Sequence, residues 1–230
     1  MESQKEEFDN LIEQLASCGA LDYMIVIGSW CEHLYGETGI LSAPASIATQ
    51  DVDFLIPNIK KPSEPIDVPK VLEQNGFVLD DTVMGGIGLT KFFKKGVLEV
   101  EFLVKEKGKG KVEPYDTMLG VTAQGLRNME ILTDNTIHVT YKNHPLEIPT
   151  PAAYIVHKLV INENRLPEYK QEKDAAAVRR IFHMADSSSF RKELLHIYGR
   201  LFPKQRKKFL GACERYGLRQ IRDAAQGMGR

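Results

Sequence analysis

Apolar residues fall at Phe8, Leu11, Ile12 and Leu15, the spacing of one helix face, and predict a helix over 5–17 that stops at Gly19. The pattern then becomes continuous. Tyr23-Met24-Ile25-Val26-Ile27 is a short apolar run rich in Ile and Val, which predicts a buried strand ended by Gly28-Ser29. A helical stretch over 30–35 follows, so Gly28-Ser29 lies at a strand-to-helix junction. Small and polar residues over 36–50 predict a loop, and Asp51-Val52-Asp53-Phe54-Leu55-Ile56-Pro57 a second strand. A Pro-rich linker over 60–69 leads to a short helix ending near Gly76. Strands are predicted over 77–79, 89–93 and 97–104, a charged loop over 105–111, and a hairpin from 136–141 and 146–148 around Asn143-His144.

The period changes again at Thr150, a capping residue followed by Pro151 at the first helical position. Four helical faces follow: Ala153, Val156, Leu159 and Val160; Ala175, Val178, Ile181 and Phe182; Phe190, Leu194, Leu195 and Tyr198; and Phe209, Cys213 and Tyr216 after Pro203. The expected organisation is an α+β domain over 1–149 and a C-terminal helical domain over 150–230.

Composition narrows the function classes. With 43% hydrophobic and 27% charged residues the chain has the balance of a folded globular protein, which excludes extensive disorder. The formal net charge of -1 gives no global basic field. Three cysteines without C-x-x-C spacing point to a reducing compartment, and the polar, acidic start is unlike a signal peptide. No apolar run reaches the roughly 20 residues that span a bilayer. The expected location is cytoplasmic, with no membrane partner. The six histidines lack zinc spacing.

Chemistry concentrates on two strands. Asp51 and Asp53 are two apart on one strand and so point to one face. Like charges that close repel, and a cation between their oxygens relieves them; Mg²⁺ suits such a pair because it binds one or two carboxylates together with substrate phosphates. Backbone N–H groups at Gly28-Ser29 are placed to hold a phosphate, and Ser29 adds a hydroxyl. Glu99 and Glu101 share a face of the strand over 97–104, and either supplies a third carboxylate, Glu101 the more central. Gly85-Gly86-Ile87-Gly88 lacks the Lys-Ser/Thr of a P-loop and reads as a turn. The basic run over 204–208 reads as a solvated helix face, with RNA phosphates as the alternative contact.

Taken in order, Ile27-Gly28-Ser29, Thr49-Gln50-Asp51-Val52-Asp53-Phe54 and Val100-Glu101-Phe102-Leu103 resemble the signature of the nucleotidyltransferase superfamily with the DNA polymerase β-like fold. The Thr two places before the first Asp resembles the form found in AbiEii-like and related nucleotidyltransferase domains. The resemblance implies a mixed β-sheet flanked by helices. It implies transfer of an NMP from an NTP to a hydroxyl acceptor, with Mg²⁺ or Mn²⁺ held by Asp51, Asp53 and Glu101, which are also the implied catalytic carboxylates. The acceptor stays open between RNA, protein and a small molecule. The segment 149–158 resembles a family helix carrying a Lys, and Lys173-Asp174 after Asn164-Arg165 resembles a downstream pattern. Carried over, Gly28, Ser29 and Lys158 would meet the nucleotide phosphates with Asp174 as the partner of Lys158; Lys173 and Arg165 are further candidates. Two departures are the long gap between Ser29 and Asp51 and a Glu where Asp is commoner as third acid. The alternatives are a non-catalytic nucleotide- or partner-binding scaffold, and a toxin that modifies tRNA and is opposed by an antitoxin partner.

Overall fold

The computed structural model describes residues 2–42, 49–80, 90–106 and 114–228. The chain forms two compact units. The first comprises Met1–Thr38, Pro44–Met129 and Ile137–Ile148; the second comprises Gly39–Ala43, Glu130–Thr136 and Pro149–Arg230.

The first unit is built on a mixed sheet. Its strands are β1 (Ile25–Ile27), β2 (Asp51–Ile56), β3 (Val78–Asp80), β4 (Lys91–Lys94), β5 (Leu98–Lys105), β6 (Pro114–Asp116), β7 (Thr122–Leu126), β8 (Thr136–Tyr141) and β9 (His144–Pro149). The order is β3-β4-β5-β2-β1-β9-β8, with β7 also paired to β5 and β6 to β7. β2 runs parallel to β5 along its whole length and antiparallel to β1. Because β2 fills one edge of β5, β4 and β7 share the other, β4 beside Leu98 to Glu101 and β7 beside Leu103 to Lys105.

Alternation sorts the central strands into two faces. Val52, Phe54, Phe92, Val100 and Phe102 form a dry face, where the Phe54 and Phe102 rings stack 6.1 Å apart. Helix α1 (Glu2–Ser17) packs on β5 and on α3 (Val68–Gln74). Its Phe8, Leu11, Ile12 and Leu15 are fully buried, as their spacing predicts. α3 is capped by Asp67, whose carboxylate accepts from the Lys70 amide at 3.0 Å.

Several boundaries differ from the sequence reading. Gly19, at φ 74°, turns the chain into a 3₁₀ turn over Ala20–Tyr23, so β1 starts only at Ile25. The hairpin turn is Lys142-Asn143, one residue earlier than expected, because both positions take positive φ (48° and 67°), as a two-residue turn matched to strand twist requires. Strands β6 and β7 and the short helix α4 (Glu130–Thr133) are additional. The Gly85 to Gly88 motif and most of the charged loop over 105–111 lie outside the described residues.

The second unit is helical: α5 (Pro151–Ile161), α6 (Glu168–Ala185), α7 (Ser188–Arg200), α8 (Pro203–Arg215) and α9 (Arg219–Ala225) join α4. α5 is its axis and packs against α4, α6, α7 and α8. It is buried from Pro151 to Val160, apolar around most of its circumference with His157 and Lys158 as the exceptions. Thr150 caps it, accepting from the Ala153 amide at 3.2 Å. No described helix is long and apolar enough to cross a membrane.

Candidate active site

The polar face of the central sheet is assembled by register. Asp53 on β2 sits beside Glu101 on β5, and Glu101 opposite Lys91 on β4. One step along, Asp51 sits beside Glu99, and Glu99 opposite Phe93. Paired residues project to one side, so four carboxylates and one ammonium share this face. Thr49 holds the approach to β2, its hydroxyl accepting from the Asp51 amide at 3.3 Å. That bond gives the Thr two places before the first Asp a physical reason.

Gly28 joins this face from β1. Its φ is 74°, a region that disfavours side chains. A Cβ there would stand 2.3 Å from Asp53 Oδ2, closer than any carbon can approach. Glycine therefore lets the backbone turn directly over the Asp53 carboxylate, whose strand pairs with β1 at Ile27. Ser29 follows as the N-cap of α2 (Trp30–Glu37), with no side-chain capping bond. Its hydroxyl thus stays unspent on the helix it opens.

α2 is pinned by contacts that the sequence reading did not anticipate. The Trp30 ring stacks on Phe8 with centroids 3.9 Å apart. Tyr141 donates to Asp9 Oδ1 at 2.5 Å, so its oxygen accepts the 3.1 Å bond from His33 Nε2. Burial lowers the His33 pKa, outweighing the pull of Glu37. Burial and the Asp9 carboxylate both raise the Tyr141 pKa, so the phenol keeps its proton. This chain of bonds ties α1, α2 and β8 together and fixes the helix that starts at the Gly28-Ser29 turn.

Lys91 is the second unexpected member. Its Nζ lies 2.8 Å from both Glu99 and Glu101. Burial pulls its pKa down, but the hydrogen bonds to Glu101 and Glu99 prevail and raise it. The third-acid candidates are therefore both engaged by one cation. Among the described residues, no group of three or more His, Cys, Asp and Glu stands close enough to share a metal ion. Asp51 and Asp53 nonetheless suit a hard divalent cation as a two-carboxylate pair completed by phosphate oxygens.

Lys158 and Asp174 meet in the second unit, 2.8 Å apart and buried. Arg165 Nε approaches the other Asp174 oxygen at 3.2 Å, an ion pair not aligned as a hydrogen bond. The Lys158 ammonium also lies 5.5 Å from the Tyr154 ring centre. Beside them His157 is buried, its Nε2 without a hydrogen-bond partner among the described residues. Burial, with help from Lys158 and Arg165, pushes its pKa down to about 3. Lys173 is exposed on α6.

No curated protein matches the chain in sequence. Among solved structures, an antigenic nucleotidyltransferase-like protein from Paracoccidioides brasiliensis shares the fold: TM-score 0.60 over 99% of this chain and 94% of that one, at 11% identity. The antibiotic-resistance factor ANT(2'')-Ia aligns over 95% of this chain and 89% of its own at 10% identity, but its TM-score of 0.39 is too loose to bear on fold or function. The nucleotidyltransferase family model matches residues 6–198, which takes in both the carboxylate strands and the Lys158 helix. The chain belongs to the nucleotidyltransferase family.

Proposed function

We propose that the protein transfers a nucleoside monophosphate from an NTP to a hydroxyl acceptor, using the polar face of the first unit's sheet. The observation that carries this reading is the fit of Gly28 over Asp53, where a turn suited to phosphate and a carboxylate meet at a distance only glycine permits. Peptide N–H groups at the start of α2 and the Ser29 hydroxyl would donate to the triphosphate. Asp51 and Asp53 would hold Mg²⁺ or Mn²⁺, and a bound ion of that kind neutralises phosphate charge and favours ionisation of an attacking hydroxyl.

The protein's own part is positioning and charge placement, as in phosphoryl transfer generally. The acceptor oxygen attacks the α-phosphorus in line, pyrophosphate leaves, and the acceptor proton passes to a carboxylate of this face. Glu101 is the candidate base once its oxygen is released from Lys91. Lys158 and Asp174 stay in the reading as a charge pair that organises the second unit, and a phosphate role for Lys158 is open to a Lys158→Ala test. Three free cysteines suit a reducing, cytoplasmic setting.

Metal-dependent NTP binding tests the reading. An NTP should raise the melting temperature only when Mg²⁺ or Mn²⁺ is present, and Asp53→Ala should lose that rise while keeping its fold. A nucleotide effect independent of metal and of Asp53 would favour a non-catalytic binding scaffold instead.

A further inference from the structure

The net charge of -1 conceals a division. The first unit contains 13 Lys and Arg against 21 Asp and Glu, a net of −8; the second contains 17 against 10, a net of +7. A basic unit inside a neutral chain signals a polyanionic partner.

The excess has a focus on α8. Gln205, Phe209, Ala212 and Cys213 form its buried face. Lys204, Lys207, Lys208 and Arg215 stand at offsets of three, four and eleven residues from the first, which lines them along one other face. Lys204 and Lys207 are exposed and stand in no ion pair among the described residues, and Lys204 adds its field to that of Lys208 on Glu163. Lys208 is 2.9 Å from Glu163, and Arg215 donates to the Gln171 side chain at 3.0 Å. Arg206 donates to the Gly199 carbonyl and lies over the Tyr198 ring. Arg200, exposed at the end of α7, stands 3.7 Å from Asp134.

At the head of this stripe Phe202 presents a 67% exposed aromatic ring. Its backbone is fixed by the Gln205 side chain, which accepts from the Phe202 amide at 2.9 Å. Next to it lies a cavity of about 130 Å³ lined in part by Asp134, Asn135, Arg200 and Gln205. A row of cations, an exposed ring on an anchored backbone, and a small recess carrying carboxylate and amide groups are the parts that hold a strand by its phosphates, stack one base and meet its edge.

We infer that this surface binds a single-stranded nucleic acid, RNA or DNA. Duplexes keep their bases stacked and offer nothing to Phe202. Three phosphates held by Lys204, Lys207 and Lys208, the last on leaving Glu163, would give single-strand binding a salt slope of about −2, so affinity should fall about 20-fold between 50 and 200 mM salt.

The test is fluorescence anisotropy with labelled 20-nucleotide single-stranded RNA, the matching DNA, the duplex, and vesicles of phosphatidylcholine with phosphatidylserine. Single strands should bind with that salt slope and the duplex more weakly; the RNA and DNA arms tell which strand is preferred. Lys204→Glu with Lys207→Glu should cut affinity at least about tenfold and flatten the slope by about 1.4. Phe202→Ala should cost about tenfold without changing the slope. Asp53→Ala should leave strand binding as in the parent. Failure to bind any strand, equal affinity for duplex, or binding to vesicles alone would overturn the inference, and intact metal-dependent NTP binding in the same sample would leave the functional reading standing. Strand binding without NTP binding would do the reverse, keeping the surface and removing the transferase.

Discussion

Two lysine–carboxylate groups mark the two units, and they differ in what surrounds them. Lys91 with Glu99 and Glu101 sits on a sheet face where each side chain is a third or more exposed. Lys158 with Asp174 sits on the axis helix with both side chains under a tenth exposed. Water screens the first group, so its contacts are individually weak and the cation is displaceable. Burial shields the second from solvent, so each charge needs the other to offset its desolvation. The same chemistry is thus an adjustable surface in the sheet and a fixed strut in the helices.

The largest effect should come from breaking the strut. Asp174→Ala leaves the Lys158 ammonium buried beside Arg165 and should lower stability by about 3–5 kcal/mol in chemical denaturation. Replacing both partners, Lys158→Met with Asp174→Leu, should recover most of that loss. If the double variant were as unstable as the single one, the pair would not be the source of the effect.

Protonation probes the same buried neighbourhood. The His157 pKa is depressed to about 3 from an ordinary 6.5, so the unfolded chain takes up the proton first as pH falls. Its contribution is whole above pH 6.5 and is lost progressively toward pH 3, at up to about 1.4 kcal/mol per pH unit. The buried His33 acts in the same direction. His157→Gln should flatten the stability profile below pH 6.5, and an unchanged slope would show that His157 is not protected from protons.

On the sheet, Gly28→Ala combines an unfavourable φ with a contact onto Asp53 and should cost about 1–3 kcal/mol. Its metal-dependent NTP stabilisation should fall further than its melting temperature does. Lys91→Met should change stability least, by about 1 kcal/mol or less, while enlarging the Mg²⁺-induced rise in melting temperature, because the carboxylate face loses its own cation. A loss comparable to that of Asp174→Ala would erase the contrast between the two groups.

Much of the fold was legible because several elements have a single unbroken pattern. The α1 face, the run into β2, the apolar β5 and the capped start of α5 are set by local spacing and burial. β7, with its Thr-Ala-Gln-Gly-Leu sequence, has little strand character of its own and exists through pairing with β5. The pairing of Lys158 with Asp174 was legible only through the family resemblance, which set the two positions side by side. Lys91 was not, since its place opposite Glu101 depends on how β4 and β5 register across the turn between them. The helical unit's charge was in plain view, but a whole-chain sum cancels it against the acidic unit.

Transfer of label from α-³²P NTPs tests the central claim most directly. Each base would be offered separately with Mg²⁺ or Mn²⁺, with single-stranded RNA, DNA and the protein itself as acceptors, beside an Asp51→Ala/Asp53→Ala variant. The account predicts metal-dependent label on an acceptor, lost in the variant while its melting temperature holds. Label that persists in the variant would contradict the assignment of these carboxylates, and absence of label from every acceptor, together with no metal-dependent NTP binding, would contradict nucleotidyl transfer itself.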